Sequence, residues 1–265
     1  MPLVRRPKLG QHFLRDPLFI RRIEESIFLE PGELLVEIGP GRGAMTRRLA
    51  GRAHQLVAIE LDLTLADALK AEFQGNPRVD IVRADILETS LGGLCDRYGA
   101  ERCFIFGNIP YYITSPILLH LFSARSYIRH MALLLQREVA ERAAAGPGSR
   151  DYGSLSVLVQ CQSEPRILFT IPPGAFSPPP KVQSALVDFR IAPRFPEWSA
   201  GTDQQFLTFA RKCFARKRKN LLNNLAAAYS RASASRALKA AGVEPASRAE
   251  QLSLEQLARL FQFLQ

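Results

Sequence analysis

A glycine-rich stretch near residue 40 has residue types suited to ligand binding. Gly39-Pro40-Gly41-Arg42-Gly43 follows the apolar run Leu34–Ile38, and a helical pattern begins at Ala44. Glycines at a strand-to-helix corner permit a tight turn and leave bare backbone at a helix N-terminus, where a ligand can lie. A plain turn between strand and helix is the alternative interpretation.

The acidic residues around this stretch indicate which nucleotide it would hold. The Gly-x-Gly-x-Gly spacing differs from the dinucleotide fingerprint, and Glu37 stands two residues before Gly39. A carboxylate there would repel a pyrophosphate but favour a cationic amine and a sulfonium, which S-adenosylmethionine carries. Glu60, at the end of the second predicted strand, can accept hydrogen bonds from ribose hydroxyls, and Asp85 can accept one from an adenine amine. A helix cap is the alternative role for Asp85.

A second motif, Asn108-Ile109-Pro110-Tyr111, ends the fourth predicted strand and favours a reaction at an exocyclic amine. Such an amine on adenine is a poor nucleophile because its lone pair is delocalised into the ring. Two acceptors, the Asn108 side-chain oxygen and the Ile109 carbonyl, can turn that lone pair toward an electrophile. Pro110 would fix the carbonyl's direction, and Tyr111 could stack on the base. Alternatively, Asn108 is a turn residue and Tyr111 a core aromatic.

The elements that must position these motifs alternate along the chain from about residue 34 to residue 190. Short apolar runs alternate with segments of helical periodicity, which predicts a doubly wound α/β fold with a mostly parallel sheet. The carboxyl ends of its strands form a crevice, so both motifs should meet there. The predicted strands are Leu34–Ile38, Leu56–Glu60, Val79–Arg83, Cys103–Asn108, Met131–Gln136, Arg166–Thr170 and Ala185–Arg190, and the predicted helices include Leu63–Phe73 and Ile117–Phe122.

A second domain is predicted after this alternation ends. Prolines and Trp198 interrupt the pattern between residues 192 and 199, and the strand signals stop there. We therefore predict a catalytic, S-adenosylmethionine-binding domain over residues 1–195 and a small all-helical RNA-binding domain over residues 196–265. The predicted helices of the second domain are Gln204–Phe214, Asn220–Ala228, Ala234–Ala241 and Leu254–Leu264, the last capped by Ser253.

The positive charge is concentrated toward the two ends of the chain. The net charge is +10, and residues 201–265 contain 11 basic and 4 acidic side chains. Six cations lie within nine residues without acids at helical spacing, which favours contact with RNA phosphates over a solvated helix face. The six are Arg211, Lys212, Arg216, Lys217, Arg218 and Lys219. Arg5, Arg6 and Lys8 would extend the same positive surface.

Composition and cysteine spacing argue against several other classes. No apolar run approaches the roughly 18 residues that cross a bilayer, and no secretion signal is apparent. The cysteines at positions 95, 103, 161 and 213 are too scattered for a zinc site or a disulfide framework. We therefore expect a cytoplasmic protein with buried reduced thiols, no metal and no membrane partner. A nicotinamide dehydrogenase is disfavoured by Glu37 and the glycine spacing.

Taken together, the motifs resemble the ribosomal RNA adenine dimethyltransferases, and the small-subunit enzymes most closely. The resemblance extends from Lys8 to the C-terminal helices. The motifs that carry it are Gln11–Leu14, Glu37–Gly41, Glu60, Asp85, Asn108–Tyr111, Phe176–Val182 and Arg216–Lys219.

The resemblance implies a Rossmann-like class I methyltransferase with a helical C-terminal domain. Its reaction would transfer methyl groups from S-adenosylmethionine to N6 of two adjacent adenines near the 3′ end of 16S rRNA, two per adenine, and would leave S-adenosylhomocysteine. The substrate would be an immature small ribosomal subunit, and the enzyme would act as a monomer. The implied cofactor-site residues are His12, Leu14, Gly39, Gly41, Glu60, Asp85 and Asn108.

His12 and Phe176 are two further positions to which the resemblance assigns a role. The family often has Asn at the position of His12, where a contact through the backbone or a ring nitrogen of His12 could replace that of the asparagine. Phe176 stands in a stiff proline-rich loop, where the resemblance favours stacking on the target base opposite Tyr111. The residues alone leave a core anchor equally open for Phe176.

Two further functions stay open at this point. A large-subunit adenine methyltransferase of the antibiotic-resistance type shares the core motifs, although residues 178–182 and the helical ending favour the small-subunit enzyme. A non-catalytic RNA-binding assembly factor could keep the cofactor as a fold stabiliser, although intact Asn108, Pro110 and Tyr111 favour catalysis.

Overall fold

The computed structural model describes residues 11–264, which form nine strands and eleven α-helices. The strands are β1 (Phe13–Leu14), β2 (Leu34–Ile38), β3 (Gln55–Glu60), β4 (Val79–Arg83), β5 (Cys103–Asn108), β6 (Ile128–Gln136), β7 (Ser163–Ile171), β8 (Phe176–Ser177) and β9 (Ser184–Ile191). The helices are α1 (Pro17–Ser26), α2 (Thr46–Leu49), α3 (Leu63–Glu72), α4 (Leu91–Tyr98), α5 (Thr114–Ser123), α6 (Arg137–Ala144), α7 (Ser154–Gln162), α8 (Ala200–Cys213), α9 (Leu221–Leu225), α10 (Arg231–Ala240) and α11 (Leu254–Gln262).

Seven of the strands form one mostly parallel sheet in the order β4-β3-β2-β5-β6-β9-β7. Strands β4, β3, β2, β5 and β6 run parallel, and β9 pairs antiparallel with β6. Every residue of β2 is buried, as expected for a strand covered on both faces. The predicted α/β fold class is confirmed, and all seven predicted strands are present.

The strand order creates a ligand crevice at a defined place. From β2 the chain crosses over to β3 and β4 on one side, and it returns to β5 and β6 on the other side. The carboxyl ends of β2 and β5 therefore flank the point where the order reverses, which is where doubly wound sheets bind ligands. Gly39 follows one of these ends and Asn108 is the other.

A second, two-stranded sheet was not predicted from the sequence. Strands β1 and β8 pair antiparallel, with Phe13 opposite Ser177 and Leu14 opposite Phe176. Each strand has two residues, too few to show a periodic pattern. This pairing fixes the segment before α1 against the proline-rich loop after β7.

The described residues form two compact units, the first reaching to residue 140 and including residues 166–191, and the second comprising residues 141–165 and those from 192 onward. This division differs from the predicted single boundary at residue 195, because residues 141–165 belong to the second unit. Helix α7 explains the difference, since Val157 and Cys161 are buried in the same apolar core as Phe206 and Leu257. From residue 196 to residue 264 the second unit is helical without strands, as predicted.

Helix boundaries follow local capping. Ser199 caps α8 by accepting a hydrogen bond from the Thr202 amide, so the helix begins at Ala200, before the predicted start. Ser253 caps α11 as predicted. The four cysteines, which all lie within the described residues, are buried and form no disulfide. Between residues 11 and 264, no helix combines the length and apolarity that a membrane span requires.

Candidate active site

The glycine-rich corner has a conformation and a packing that require glycine. Gly39, Gly41 and Gly43 have φ angles of 66°, 57° and 74°, in the left-handed region. A Cβ atom at Gly41 would lie 2.8 Å from a ring carbon of Phe13. The Arg42 guanidinium lies 4.8 Å from the centre of the same ring. The Phe13 ring, from the segment before α1, thus packs directly on the glycine corner.

Two buried carboxyl groups, those of Glu37 and Glu60, lie near the carboxyl ends of the neighbouring strands β2 and β3. Glu37 is 2% exposed, and its Oε2 atom has no hydrogen-bond partner in residues 11–264. Burial, with a smaller contribution from the nearby Glu60 carboxylate, raises the pKa of Glu37 to about 7, although the neighbouring Thr46 hydroxyl opposes the shift. An unpaired buried acceptor beside a cavity is unusual in a folded protein and fits a cationic ligand group.

Glu60 joins β3 to the glycine corner. Its Oε2 atom accepts a hydrogen bond of 3.0 Å from the Gly41 amide, and its Oε1 atom accepts one of 2.9 Å from the Asp62 amide. Burial raises the pKa of Glu60 although both hydrogen bonds oppose that shift. Each carboxylate oxygen can accept a second hydrogen bond, so both remain available to ribose hydroxyls.

Asp85 caps a short helix, which is one of the two roles that the sequence left open. Its Oδ1 atom accepts a hydrogen bond of 2.9 Å from the Leu87 amide and caps the short 3₁₀ helix Ile86–Glu88. The residue also lines the cavity described below. Capping uses one of its two carboxylate oxygens.

The motif after β5 presents two free hydrogen-bond acceptors. The Asn108 side-chain Nδ2 donates a 2.9 Å hydrogen bond to the His12 carbonyl, and its Oδ1 atom has no partner in the described part of the chain. This orientation of the amide is assigned from the hydrogen bond. The Ile109 amide donates to the Leu134 carbonyl at 3.2 Å, while its own carbonyl accepts no hydrogen bond from residues 11–264. These oxygens are the acceptors singled out in the sequence.

Tyr111 is half-buried, and both its hydroxyl and its ring face make contacts. Its hydroxyl hydrogen-bonds the Ser184 hydroxyl at 2.6 Å, and its ring stacks on the His12 ring with centroids 5.9 Å apart and planes inclined by 28°. Burial raises the pKa of Tyr111, so the side chain stays an uncharged phenol. Pro110 precedes the 3₁₀ helix Tyr111–Ile113, whose second residue, Tyr112, is 62% exposed.

The contacts of His12 could not be found from the sequence. Its Nδ1 atom hydrogen-bonds the Pro178 carbonyl at 2.8 Å, in addition to the carbonyl and ring contacts with Asn108 and Tyr111. His12 therefore connects three segments that lie far apart in the chain. Leu14, the next predicted residue of this segment, is 7% exposed and lines the cavity.

Phe176 does not reach the cavity. It is 1% exposed and packs in the apolar core of the first unit, as the pairing of β1 with β8 requires. This position fits the second role that the sequence allowed for Phe176, an anchor of its loop in the apolar core. Stacking opposite Tyr111 would need a different conformation, so we assign Phe176 a packing role.

One cavity in the first unit collects the other predicted residues. Its polar lining contains the acids and amides described above, and Ile38, Met45, Ile86 and Ile117 form apolar walls suited to a purine ring. Gln11, Phe13, Met45 and Tyr112 line it without having been predicted. The predicted residues in its lining are His12, Leu14, Gly39, Gly41, Glu60, Asp85, Asn108, Ile109, Pro110 and Tyr111.

The six predicted RNA-binding cations lie in the second unit, at the end of α8 and in the segment before α9. Lys212 is half-buried, with its amine 4.7 Å from the Tyr229 ring centre. Lys217 donates a hydrogen bond to the Arg150 carbonyl. The other four side chains are exposed, namely Arg211, Arg216, Arg218 and Lys219. Arg5, Arg6 and Lys8 lie outside the described residues.

A buried amide on α9 fixes the basic segment. Asn224 is 4% exposed, and its Oδ1 atom accepts a 3.1 Å hydrogen bond from the Arg216 amide. Its Nδ2 atom donates to the carbonyls of Cys213 and Arg216 at 2.8 and 3.2 Å. No motif in the sequence indicated this role. The helix contains two adjacent asparagines, and no local pattern indicates that Asn224 and not Asn223 is buried.

Residues 11–264 contain no group of three or more His, Cys, Asp or Glu side chains that could hold a metal ion. The cavity instead combines the glycine corner, a buried acid on β2 whose Oε2 atom has no hydrogen-bond partner in the described residues, and a second acid on β3. This site, at the reversal point of a mostly parallel sheet, defines a class I S-adenosylmethionine-dependent methyltransferase.

Residues 4–265 match the family model described as ribosomal RNA adenine dimethylase. The chain belongs to this family.

Individual relatives cover nearly the whole chain. The chain is 47% identical to a ribosomal RNA small subunit methyltransferase A of Acidobacterium capsulatum, over 98% of this chain and 91% of that protein. A protein of the same name from Koribacter versatilis is 42% identical, over 97% and 93%. The crystal structure of the 23S rRNA methyltransferase ErmE is 30% identical, with a TM-score of 0.71 and coverage of 95% and 99%. A dimethyladenosine transferase from Plasmodium falciparum, 22% identical, shares the fold with a TM-score of 0.76 over 94% and 96%.

Proposed function

We propose that the chain dimethylates N6 of two adjacent adenines near the 3′ end of small-subunit rRNA in immature ribosomal particles. Membership of the rRNA adenine dimethylase family supports the reaction, and near-full-length relatives named for the small subunit support the target. The observation that carries the proposal is the pair of free acceptors, Asn108 Oδ1 and the Ile109 carbonyl, on two adjacent residues that line the cavity. The proposal places the chain in the cytoplasm as a monomer.

The residues around the cavity fit S-adenosylmethionine, which when bound supplies a methyl group on a sulfonium and leaves as S-adenosylhomocysteine. Glu37 Oε2, buried and unpaired, would face a cationic group. Glu60 would accept ribose hydroxyls, and Asp85 an adenine amine. The bare backbone at Gly39 would allow close approach of the cofactor, and Gly41 would line the site beside it while its missing side chain leaves room for the Phe13 ring. None of these roles uses a metal ion.

The chain's own chemistry would lie in orienting the target amine. Two acceptors at fixed positions hold both N–H bonds of an adenine N6 and direct its lone pair away from the ring. His12 keeps Asn108 in the required orientation, because the amide nitrogen is already bonded to the His12 carbonyl. Tyr111, fixed through Ser184, would hold the base plane by stacking.

Locating the transferred label tests the reaction and its target. The full-length chain would be incubated with labelled S-adenosylmethionine and with naked small-subunit rRNA, immature small subunits or large-subunit rRNA. We expect label on two adjacent adenines of the immature small subunit, recovered as N6,N6-dimethyladenosine by mass spectrometry. Label confined to large-subunit rRNA would contradict the proposed target.

Substitution of Asn108 tests the carrying observation. We expect Asn108→Ala to abolish methylation while leaving cofactor affinity within about tenfold, because the lost amide oxygen would orient the adenine amine that receives the methyl group. Asn223→Ala, at an exposed asparagine of the second unit, is the matched control. Methylation by Asn108→Ala at the wild-type rate would refute the role of Asn108. Assembly of particles rescued by this inactive variant would reveal a separate role in subunit assembly.

A further inference from the structure

Tyr112 stands apart from the other residues that line the cavity. Its side chain is 62% exposed. Among residues 11–264, no other large apolar side chain that lines this cavity is exposed. Its hydroxyl forms no hydrogen bond with residues 11–264. Tyr111, its neighbour in the chain, is instead half-buried and bonded to Ser184.

The 3₁₀ helix explains why the two rings point differently. Successive residues of a 3₁₀ helix are rotated by about 120°, so adjacent side chains leave the backbone on different sides. Residues 111–113 form such a turn directly after β5. Both tyrosines line the cavity, with their Cα atoms about 3.8 Å apart, but the Tyr111 side chain is half-buried while that of Tyr112 is exposed to solvent.

An exposed aromatic ring can stack on the base that loses its neighbour when a target base is flipped out. A nucleotide that enters a pocket leaves the stack, and the face of its neighbour is exposed to water. RNA-binding proteins cover such faces with aromatic side chains. An exposed ring one residue from the ring that would hold the target base is placed for the adjacent base.

We propose that Tyr112 is a binding site for the base next to the target adenine. The proposal rests on the function proposed above, because it requires an RNA adenine in the cavity. Stacking is tolerant of base identity but needs a base, and purines offer the larger face. Tyr112 would thus favour a target adenine that has a purine beside it, as in a pair of adjacent adenines.

Immature small subunits with altered rRNA test this inference. Each substrate would retain one target adenine and have adenine, uridine or an abasic residue beside it. Single-turnover methylation of the retained adenine would be measured with the wild type, Tyr112→Ala, Tyr112→Trp and the control Phe28→Ala, which removes a 73% exposed ring outside the cavity lining. Thermal unfolding would check that every variant is folded.

The expected result is a change in ratio. The wild type should methylate the substrate with adjacent adenine roughly tenfold faster than the abasic substrate at limiting enzyme, in the range of one base–aromatic stack. Tyr112→Ala should reduce that ratio to about one, while Tyr112→Trp and Phe28→Ala keep it. A ratio that survives in Tyr112→Ala, or that is already one in the wild type, overturns the inference. Absence of methylation on every substrate, the natural adenine pair included, would instead overturn the proposed function.

Discussion

The unpaired acid on β2 makes cofactor affinity depend on pH in a way that one substitution should remove. Burial raises the pKa of Glu37 to about 7, so near neutral pH the free protein holds a mixture of the carboxylic acid and the carboxylate. A cationic group of the cofactor favours the carboxylate, and binding should release a proton. Glu37→Gln keeps the shape and removes the titration.

The magnitude follows from the ionised fraction. With a pKa of about 7 and binding restricted to the carboxylate, affinity should fall roughly tenfold between pH 8 and pH 6, and by a further tenfold for each lower pH unit. At pH 7 about half a proton should be released for each cofactor bound. Glu37→Gln should bind more weakly at pH 8 but show little of this slope.

The same shift has a consequence for the free protein. A carboxyl group whose pKa is raised on folding stabilises the folded state at low pH, and this stabilisation is lost as the pH rises through the folded-state value. Relative to Glu37→Gln, the wild type should therefore lose up to about 3 kcal/mol of unfolding free energy between pH 4.5 and pH 7.5. Urea unfolding of both proteins at several pH values would measure this difference.

Calorimetric titration in two buffers of different ionisation enthalpy measures proton release directly. S-adenosylmethionine and S-adenosylhomocysteine should be compared, since the product retains the amine and lacks the sulfonium charge. Equal pH slopes for the two would assign the partner of Glu37 to the amine, and a slope for the donor alone would assign it to the sulfonium. A wild-type slope that persists unchanged in Glu37→Gln would refute the reasoning, leaving Glu60, whose pKa is also raised, as the titrating group.

Two further predictions concern the basic segment of the second unit. Asn224→Leu should lower the unfolding free energy by about 2–4 kcal/mol, because it leaves the polar backbone groups at Cys213 and Arg216 unpaired; chemical unfolding with Asn223→Leu as control would detect it, and equal stability of the two variants would contradict the role of the buried amide. Replacing Arg218 and Lys219 by alanine should reduce the slope of log affinity for RNA against log salt by about 1.4, measured by fluorescence anisotropy beside Lys70→Ala/Arg78→Ala, and an unchanged slope would remove this segment from the RNA interface.

Local patterns were sufficient to predict the sheet and most of the cavity. The runs at residues 34–38 and 103–108 are strands with the predicted bounds, because strands buried on both faces are short and mostly apolar. The run at residues 79–83 also has the predicted bounds, although it is an edge strand in which only Ile81 is buried. The rule that ligands lie at the carboxyl ends of such strands then brought Glu37, Glu60 and Asn108 together without knowledge of any long-range contact.

The features that were not predicted depend on contacts between distant residues. The hydrogen bonds of His12 join it to residues 96 and 166 positions away, and no local pattern specifies such partners. Phe176 stands in a loop whose sequence suits display as well as burial, and the pairing of β8 with β1 decides for burial. Helix α7 has an apolar run, Val157-Leu158-Val159, that does not indicate which of two cores it joins.

The division of the chain has a consequence for how the protein can be made and dissected. The backbone passes from one unit to the other after residues 140, 165 and 191. During synthesis α7 is translated before α8, so its apolar side chains stay exposed until the later helices of the second unit have been made. A fragment beginning at residue 192 would lack Tyr152, Val157 and Cys161 from its core. We therefore expect such a fragment to aggregate, and a swap of the C-terminal helices between homologues to succeed only when residues 141–165 are exchanged with them.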